Sequence, residues 1–453
     1  MKKALRYLGF AVAGVLILVV AVLTAFYLWL NSYLKGEDFR TLVSAKTSES
    51  LQLKGEFLPF HWAGFSVHSD GYFGKGNDGN PLVSVRADQI RADLNLGPIL
   101  DGVWNVPRVD IQSLNVEIDP AVPPAPALEA APAVTRPTAP ASSDFFSRFL
   151  PRRVDLDTIF IARANFLLKT TPTVTLQELQ LTLTPEGGTW NIDATGGKLK
   201  HPDWPLFTVQ RAKLRASDSQ LFLTQVDLQL QDSGQISVSG DINSRDTAPL
   251  NLRADVQRAP ITAFLTGDWR ARLMGNLNGV VKWTGDLRGP QAIQAAGNLK
   301  LLEGRIEALP FLNQIATFTK TEEFRSLKLH KASADFIWVP KQDRLEVTNL
   351  VLESEGLVRV QGKFTVQNNI IDGRFSLGTV PSVLKYIPGA ESQVFTEKRD
   401  GYIWTPLNLT GPLQSPTEDL TPKLKTAAVN SIGETANQGL QQVIDAAKSL
   451  LPF

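Results

Sequence analysis

The chain has 453 residues, with 46 Lys and Arg against 45 Asp and Glu, for a formal net charge of +1. That balance gives no electrostatic case for nucleic acid, whose affinity rests on neutralising phosphates. The lack of cysteine excludes disulfides, thiolate nucleophiles and thiolate metal sites, so the fold must rest on backbone pairing and apolar burial.

Lys2, Lys3 and Arg6 precede an uncharged run from Tyr7 to Leu34, rich in Leu, Val, Ala and Phe, before Lys35 and Glu37 restore polarity. A helix needs about 20 apolar residues to cross a ~30 Å hydrocarbon core, whereas a cleavable signal carries an apolar stretch of about 7–15. Residues 1–35 therefore read as a permanent single-pass anchor; a signal peptide cut near Ala21 to Ala25 is the competing reading. The basic cluster predicts a cytoplasmic N-terminus and places the bulk of the chain outside the cytoplasm. Glu37 to Ser50 then reads as a short amphipathic helix with Phe39, Leu42 and Val43 on one side. It opens an N-terminal β region over 36–119.

An alternation that slips once recurs along the chain. Val109-x-Ile111 is followed by Gln112 and Ser113, and Leu114-x-Val116-x-Ile118 resumes with opposite parity. The same phrase occurs at Val83/Val85/Ala87 to Ile90/Ala92/Leu94, Val154/Leu156 to Ile159/Ile161, and Val174/Leu176 to Leu179/Leu181/Leu183. It returns at Phe207/Val209 to Ala212/Leu214, Leu221/Leu223 to Val226/Leu228, Leu327/Leu329 to Ala332/Ala334, and Leu345/Val347 to Leu350/Leu352, eight cases in all. Period two means strands with one apolar face, and a slip throws the apolar set onto the wrong side unless a β-bulge restores it while bending the strand. Tight hairpins are the rival reading, but the inserted pairs lack the Asn-Gly or Asp-Gly chemistry of type I′ turns. Hairpin signals lie instead at Glu186-Gly187-Gly188, Asp232-Ser233-Gly234, Glu303-Gly304, Gln367-Asn368-Asn369 and Asp372-Gly373. Some 20 strands at ~4.8 Å spacing would make a sheet on the order of 100 Å long, which must roll, split or fold into a trough.

Residues 120–142, rich in Pro and Ala, read as an extended, disordered insertion between strands, and 143–420 as repeated β structure. Pro310 to Phe324 reads as a helix, and short turns start at Pro260 and Pro381. Over 421–453, Thr421 as N-cap, Pro422 at N1 and the series Leu424, Ala428, Ile432, Ala436, Leu440 predict an amphipathic helix that covers one end of the apolar face.

Signals for chemistry are weak. Gly74-Lys75-Gly76-Asn77-Asp78-Gly79 fits a dinucleotide fingerprint, yet Asn80-Pro81 and a strand follow it where a phosphate site requires a helix N-terminus. It reads as a hairpin loop. Gly64-Phe65-Ser66-Val67-His68 is one glycine short of a nucleophile elbow. His61, His68, His201 and His330 have no zinc-site spacing, and Asp155-x-Asp157 precedes a slip where carboxylates face water. No catalytic, metal or cofactor-binding residue is predicted, and the chain does not read as an enzyme.

The stretches Gly275-Asn276-Leu277-Asn278-Gly279-Val280-Val281-Lys282-Trp283-Thr284-Gly285, Ala296-Gly297-Asn298-Leu299-Lys300-Leu301-Leu302-Glu303-Gly304-Arg305-Ile306 and Leu309-Pro310-Phe311-Leu312 resemble the C-terminal region of AsmA-like bacterial envelope proteins. The likeness continues through Val360-Gln361-Gly362-Lys363-Phe364 and Leu407-Asn408-Leu409-Thr410-Gly411, and its Pro/Ala insertion departs from a minimal family pattern. The resemblance implies a mainly β protein with a long, curved, bulged antiparallel sheet forming an elongated trough, held at the bacterial inner membrane with its bulk in the periplasm. It implies a part in phospholipid transport or outer-membrane homeostasis, related to repeating β-groove lipid-transfer proteins. A one-sided apolar sheet supplies the physical reason, since acyl chains gain ~0.8 kcal/mol per buried CH₂. Val116, Ile118, Leu181, Leu183, Leu214, Leu228, Leu230, Leu350 and Leu352 are the predicted lining. The alternative is a non-enzymatic scaffold or assembly factor for outer-membrane proteins, with its trough filled by its own helices and envelope proteins as partners.

Overall fold

Alternating apolar and polar residues make strands wherever one face can be buried, and this chain is mainly β. The computed structural model describes residues 32–119 and 153–431, apart from 96, 98–102, 218, 231–233, 244–246, 289–291, 308–312, 314–315, 318–320 and 386. The predicted anchor over 1–35, except for its last four residues, the Pro/Ala-rich stretch and the end of the C-terminal helix beyond 431 lie outside the described residues. Among the described residues no helix is long and apolar enough to cross a membrane. The chain divides into two units, Met1–Pro202 with Arg215–Ser217, and Asp203–Leu214 with Asp218–Phe453.

The first unit opens with α1 (Glu37–Leu51) and continues through β1 (Leu53–Phe57), β2 (Phe60–Ala63), β3 (Ser66–Gly76), β4 (Leu82–Asn95), β5 (Val103–Ile118), β6 (Arg153–Leu156), β7 (Ile159–Leu168), β8 (Val174–Glu186), β9 (Thr189–Thr195) and β10 (Lys198–Lys200). Strands β1 and β2 both pair with β3, which pairs with β4, and β4 with β5, all antiparallel. The predicted all-antiparallel sheet needs one correction, because β5 runs parallel to β6 and β7. Parallel neighbours require a crossover of a dozen or more residues, and 34 residues separate Ile118 from Arg153. The intervening length meets that requirement.

The slips in this unit lie within a strand line and none is a reversal, but only that on β8 is a bulge with a register shift against its neighbour; those on β4 and β5 pass without one. Gln89 in β4 and Glu178 in β8 take left-handed backbone, at φ 53° and 62°, while their strands continue. Strands β6 and β7 keep one register against β5, so the slip at Asp157-Thr158 interrupts a single strand line. Moreover, the irregularities align. The break Leu58-Pro59 lies level with Asp70, Gln89, Gln112-Ser113 and Ala162-Arg163, and two residues further along follow Gln177-Glu178 and the Gly196-Gly197 break between β9 and β10. A single crease therefore crosses the whole unit. Ala87 and Ile90 flank it on β4, as Ile111 and Leu114 do on β5, and all four pack in one apolar cluster. From β3 to β7 neighbouring strands slip together and keep one register across the crease, so both halves of each strand stay on one face, and only β7 and β8 shift register there.

The second unit holds β11 (Phe207–Ala216), β12 (Gln220–Leu230), β13 (Gln235–Asn243), β14 (Pro249–Pro260), a short α2 (Trp269–Arg272), β15 (Leu273–Asp286), β16 (Gln294–Glu307), β17 (Ser326–Leu329), β18 (Lys331–Val339), β19 (Arg344–Ser354), β20 (Val358–Gln367), β21 (Ile370–Thr379), α3 (Pro381–Leu384), β22 (Glu397–Arg399), β23 (Tyr402–Pro412) and β24 (Thr417–Glu418). From β12 to β16, each strand pairs antiparallel with the next. Strands β17 and β18 share one register on β16, broken only at His330, and the ladder continues through β19, β20 and β21 to β23. Register shifts fall at Leu223/Val226 and Val347/Leu350, where the slips were read, and also at Val256/Ala259 and Met274/Asn276. Gly279 stands in β15 at φ 154°, where an added Cβ would stand 2.1 Å from the Asn298 carbonyl oxygen.

Turn signals divide by whether the backbone turns. Gly187-Gly188 joins β8 to β9 and Asn368-Asn369 joins β20 to β21, all four residues at positive φ. Glu303-Gly304 and Asp372-Gly373, in contrast, sit inside β16 and β21. Glu303 is a bulge residue at φ 53°, and Gly373 leaves room for the Phe375 ring, 2.5 Å from where its Cβ would be. The C-terminal helix begins at Leu420, one residue before the predicted cap. Glu418 Oε2 caps it by accepting from the Leu420 and Thr421 N–H groups at 2.5 and 2.9 Å. Leu420, Leu424 and Ala427 pack with Val383, Leu384, Val394 and Phe395 over Leu377, Ile403 and Leu407, closing one end of the apolar face in this unit.

Candidate functional site

Strand register lays side chains in rows that run across neighbouring strands, and a row on one face keeps its character only if every bulge is placed to preserve it. In the first unit, Trp62, Val67, Ala92, Val109, Ile159, Leu183 and Ile192 form such a row. Beside it runs Phe60, Ser69, Ile90, Ile111, Ile161, Leu181 and Ala194. Across the crease lies Phe57, Tyr72, Ala87, Leu114, Ala164 and Leu179. None contains a charge.

The second unit repeats the arrangement over more strands. Val226, Val238, Ala254, Val281, Gly297, Phe336, Val347, Phe364, Gly373 and Leu409 form one row over ten strands. At ~4.8 Å per strand that row is roughly 40 Å long, more than the ~30 Å hydrocarbon thickness of a bilayer. A second row runs through Leu223, Gly240, Leu252, Trp283, Ala295, Trp338, Leu345, Val366, Ile371 and Gly411. Trp283, Phe336 and Phe364 are only half-buried, and Trp338 is 42% exposed. A packed sandwich interior would bury all four.

The opposite face is wet and its charges are paired along single strands. Arg86 with Asp88, Arg91 with Asp93, Arg108 with Asp110, Arg253 with Asp255, Arg305 with Glu307 and Arg344 with Glu346 stand two residues apart, hence on one side of the strand. Such exposed pairs are worth ~0–1 kcal/mol each and chiefly keep this face polar. On this side the crease forms a hollow of about 580 Å³, lined by His68, Asp70, Gln89, Arg91, Arg108, Asp110, Gln112 and Phe160. Its guanidiniums are already taken up, Arg108 by Asp110 and the Phe160 ring, and Arg91 by Asp93. The Ser66 hydroxyl, donating at 2.5 Å, holds the Asp93 carboxyl below the usual carboxylate range with help from Arg91.

Of the predicted lining residues, Val116, Ile118, Leu181 and Leu183 stand on the apolar face of the first unit. Leu228 and Leu230 on β12 and Leu350 and Leu352 on β19 belong to the second, with Leu214 on β11. Val116, Leu181 and Leu230 are buried; the other six are half-buried. They are spread along the faces and converge on no single pocket. Trp283, Phe336, Trp338 and Phe364, the largest side chains in the second unit's two rows, were not among them. Their signal was present as the alternations Val281-x-Trp283 and Phe336-x-Trp338.

Elsewhere the motifs resolve into structure. The Gly74 to Gly79 stretch ends β3 and turns into β4, Ser66 of the serine motif bonds Asp93, and among the described residues no group of His, Asp and Glu is placed to hold a metal. No protein-family model, curated protein or solved structure matches the chain.

Proposed function

We propose that this protein is a membrane-anchored envelope component that binds phospholipid acyl chains along the apolar face of its bulged sheet and so supports lipid transport or outer-membrane homeostasis. The observation that carries this reading is the uncharged row of ten residues from Val226 to Leu409, six of which, Phe336 and Phe364 among them, are left half-buried. An aliphatic chain laid there removes both its own surface and that of the row from water, at ~25 cal/mol per Å², while its head group stays at the wet rim. Bulges that hold one face apolar, such as those at Leu223/Val226 and Val347/Leu350, favour a sheet curled into a trough. The uncharged run from Tyr7 to Leu34 supplies the tether, and the resemblance to AsmA-like proteins points the same way.

Purification of the full chain in mild detergent, followed by lipid extraction and mass spectrometry, tests the reading. Phospholipid is expected at a fixed ratio to protein, and Phe336→Asp and Leu228→Asp are expected to lower it severalfold with β content unchanged. A protein free of lipid in every preparation overturns it.

The scaffold reading has one observation in its favour, the helices that cover Leu377, Ile403 and Leu407 at one end of the face. Photo-crosslinking from Val429, 70% exposed on the C-terminal helix, separates the two: lipid adducts favour the groove, protein adducts the scaffold.

A further inference from the structure

An outer strand leaves a row of N–H and C=O groups unpaired, and proteins that do not aggregate must occupy them. Among the described residues, strand β1 pairs with β3 through one edge only. On its other edge stands α1, which offers side chains where a strand would offer backbone. Ser44 Oγ accepts from the Phe57 N–H at 3.0 Å, Ser48 Oγ donates to the Gly55 carbonyl at 2.8 Å, and Arg40 donates to the Phe57 carbonyl at 2.9 Å. Towards β1 itself the contact is polar, while the start of α1 is anchored by Phe39 packing against Phe60, Trp62 and Trp104. Helix α1 thus fills the place of a missing strand.

The strand beneath this cover is self-complementary. Gly55 and Phe57 turn their peptide groups outward, so two copies of β1 can meet antiparallel with Gly55 opposite Gly55 as a hydrogen-bonded pair. In that register Lys54 faces Glu56 of the other copy, both being exposed, and Leu53 faces Phe57 on the apolar side. Opposite charges align and the apolar face continues unbroken across the junction. We infer that β1 is a latent interface for a second copy of this chain and that α1 is the guard that keeps it closed, so that lifting α1 permits an isologous dimer through β1.

The native chain has no cysteine, which makes a register test clean. Lys54→Cys and Glu56→Cys are placed in separate full-length proteins carrying Arg40→Ala, Ser44→Ala and Ser48→Ala, then mixed under mild oxidation in detergent. Opposite residues of a non-hydrogen-bonded pair lie about 4.5 Å apart at Cα, within disulfide reach. The expected result is a mixed disulfide at least tenfold above that seen with α1 intact, with little cross-linking in either protein alone. A second background with Ser44→Ala and Ser48→Ala only, checked for native β content by circular dichroism, guards against unfolding of the triple variant. Ser44→Thr, which keeps the hydroxyl, is expected to remain uncross-linked. Equal cross-linking with and without the guard, cross-linking of Lys54→Cys to itself, or none in a folded guard-less protein overturns the inference.

Discussion

Gln89, Glu178, Arg258, Glu303 and Asn349 take left-handed backbone inside strands, a conformation that costs a side-chain-bearing residue ~1–2 kcal/mol. Two of them are held there by an asparagine on the neighbouring strand. The Glu178 N–H donates to Asn165 Oδ1 at 2.9 Å and the Arg258 N–H to Asn278 Oδ1 at 2.7 Å, replacing the ladder partner that the bulge removes. Asn278→Ala and Asn165→Ala are each expected to lower stability by about 1–2 kcal/mol, read as a drop in urea midpoint. Gly279→Ala is the severer change, because φ 154° and the carbonyl at 2.1 Å both exclude a Cβ. It is expected to cost more than ~3 kcal/mol and to leave little folded protein on expression.

At the scale of elements, the outer strands are closed by side chains as well as by pairing. On β23, β22 and β24 pair with its two ends, while Asp419 accepts from the Asn408 N–H at 2.9 Å and Lys423 donates to the Pro406 carbonyl at 2.9 Å. Burial pushes the Asp419 carboxyl up, but the Lys423 ammonium and the Asn408 donors outweigh it and hold the group below its ordinary value. A carboxyl depressed in the folded state contributes its stability above the unfolded value of ~3.9 and loses it as pH falls through the lower folded value. The protection of the Leu424 and Ala427 amides, relative to their intrinsic exchange at each pH, is therefore expected to fall below about pH 4, and Asp419→Asn to remove that dependence. The parallel pairing of β5 makes a separate demand. The crossover must travel back along 16 residues of strand, roughly 53 Å, so cutting it to ten residues with a reach of ~35 Å is expected to abolish the protection of β7 amides.

At the scale of the whole molecule, each unit divides its labour between two faces. Arg and Asp or Glu paired along single strands keep one face wet, and uncharged rows keep the other greasy. Apolar retention of acyl chains is not screened by ions, whereas attraction of head groups by surface charge weakens beyond a ~10 Å Debye length. If acyl chains are held as proposed, lipid retained in mild detergent is expected to persist in 1 M salt and to be lost only to high detergent concentrations. Loss in salt alone would shift the binding site to the Arg-bearing face.

The alternation of Val109 to Ile118 and its seven counterparts made the strand content and the apolar face legible in the chain, because period two and its interruption are local properties. Turns with paired positive φ, Gly187-Gly188 and Asn368-Asn369, were legible for the same reason. Glu303-Gly304 and Asp372-Gly373 were not, since the same residue types serve a bulge or make room for a neighbouring ring, and only the partner strand distinguishes these uses. The parallel course of β5 beside β7, the alignment of slips into a crease, and the polar cover of α1 over β1 each depend on segments distant in sequence meeting in one register. One strand's periodicity determines which side chains share a face; which strands lie beside it is decided only when all of them pair.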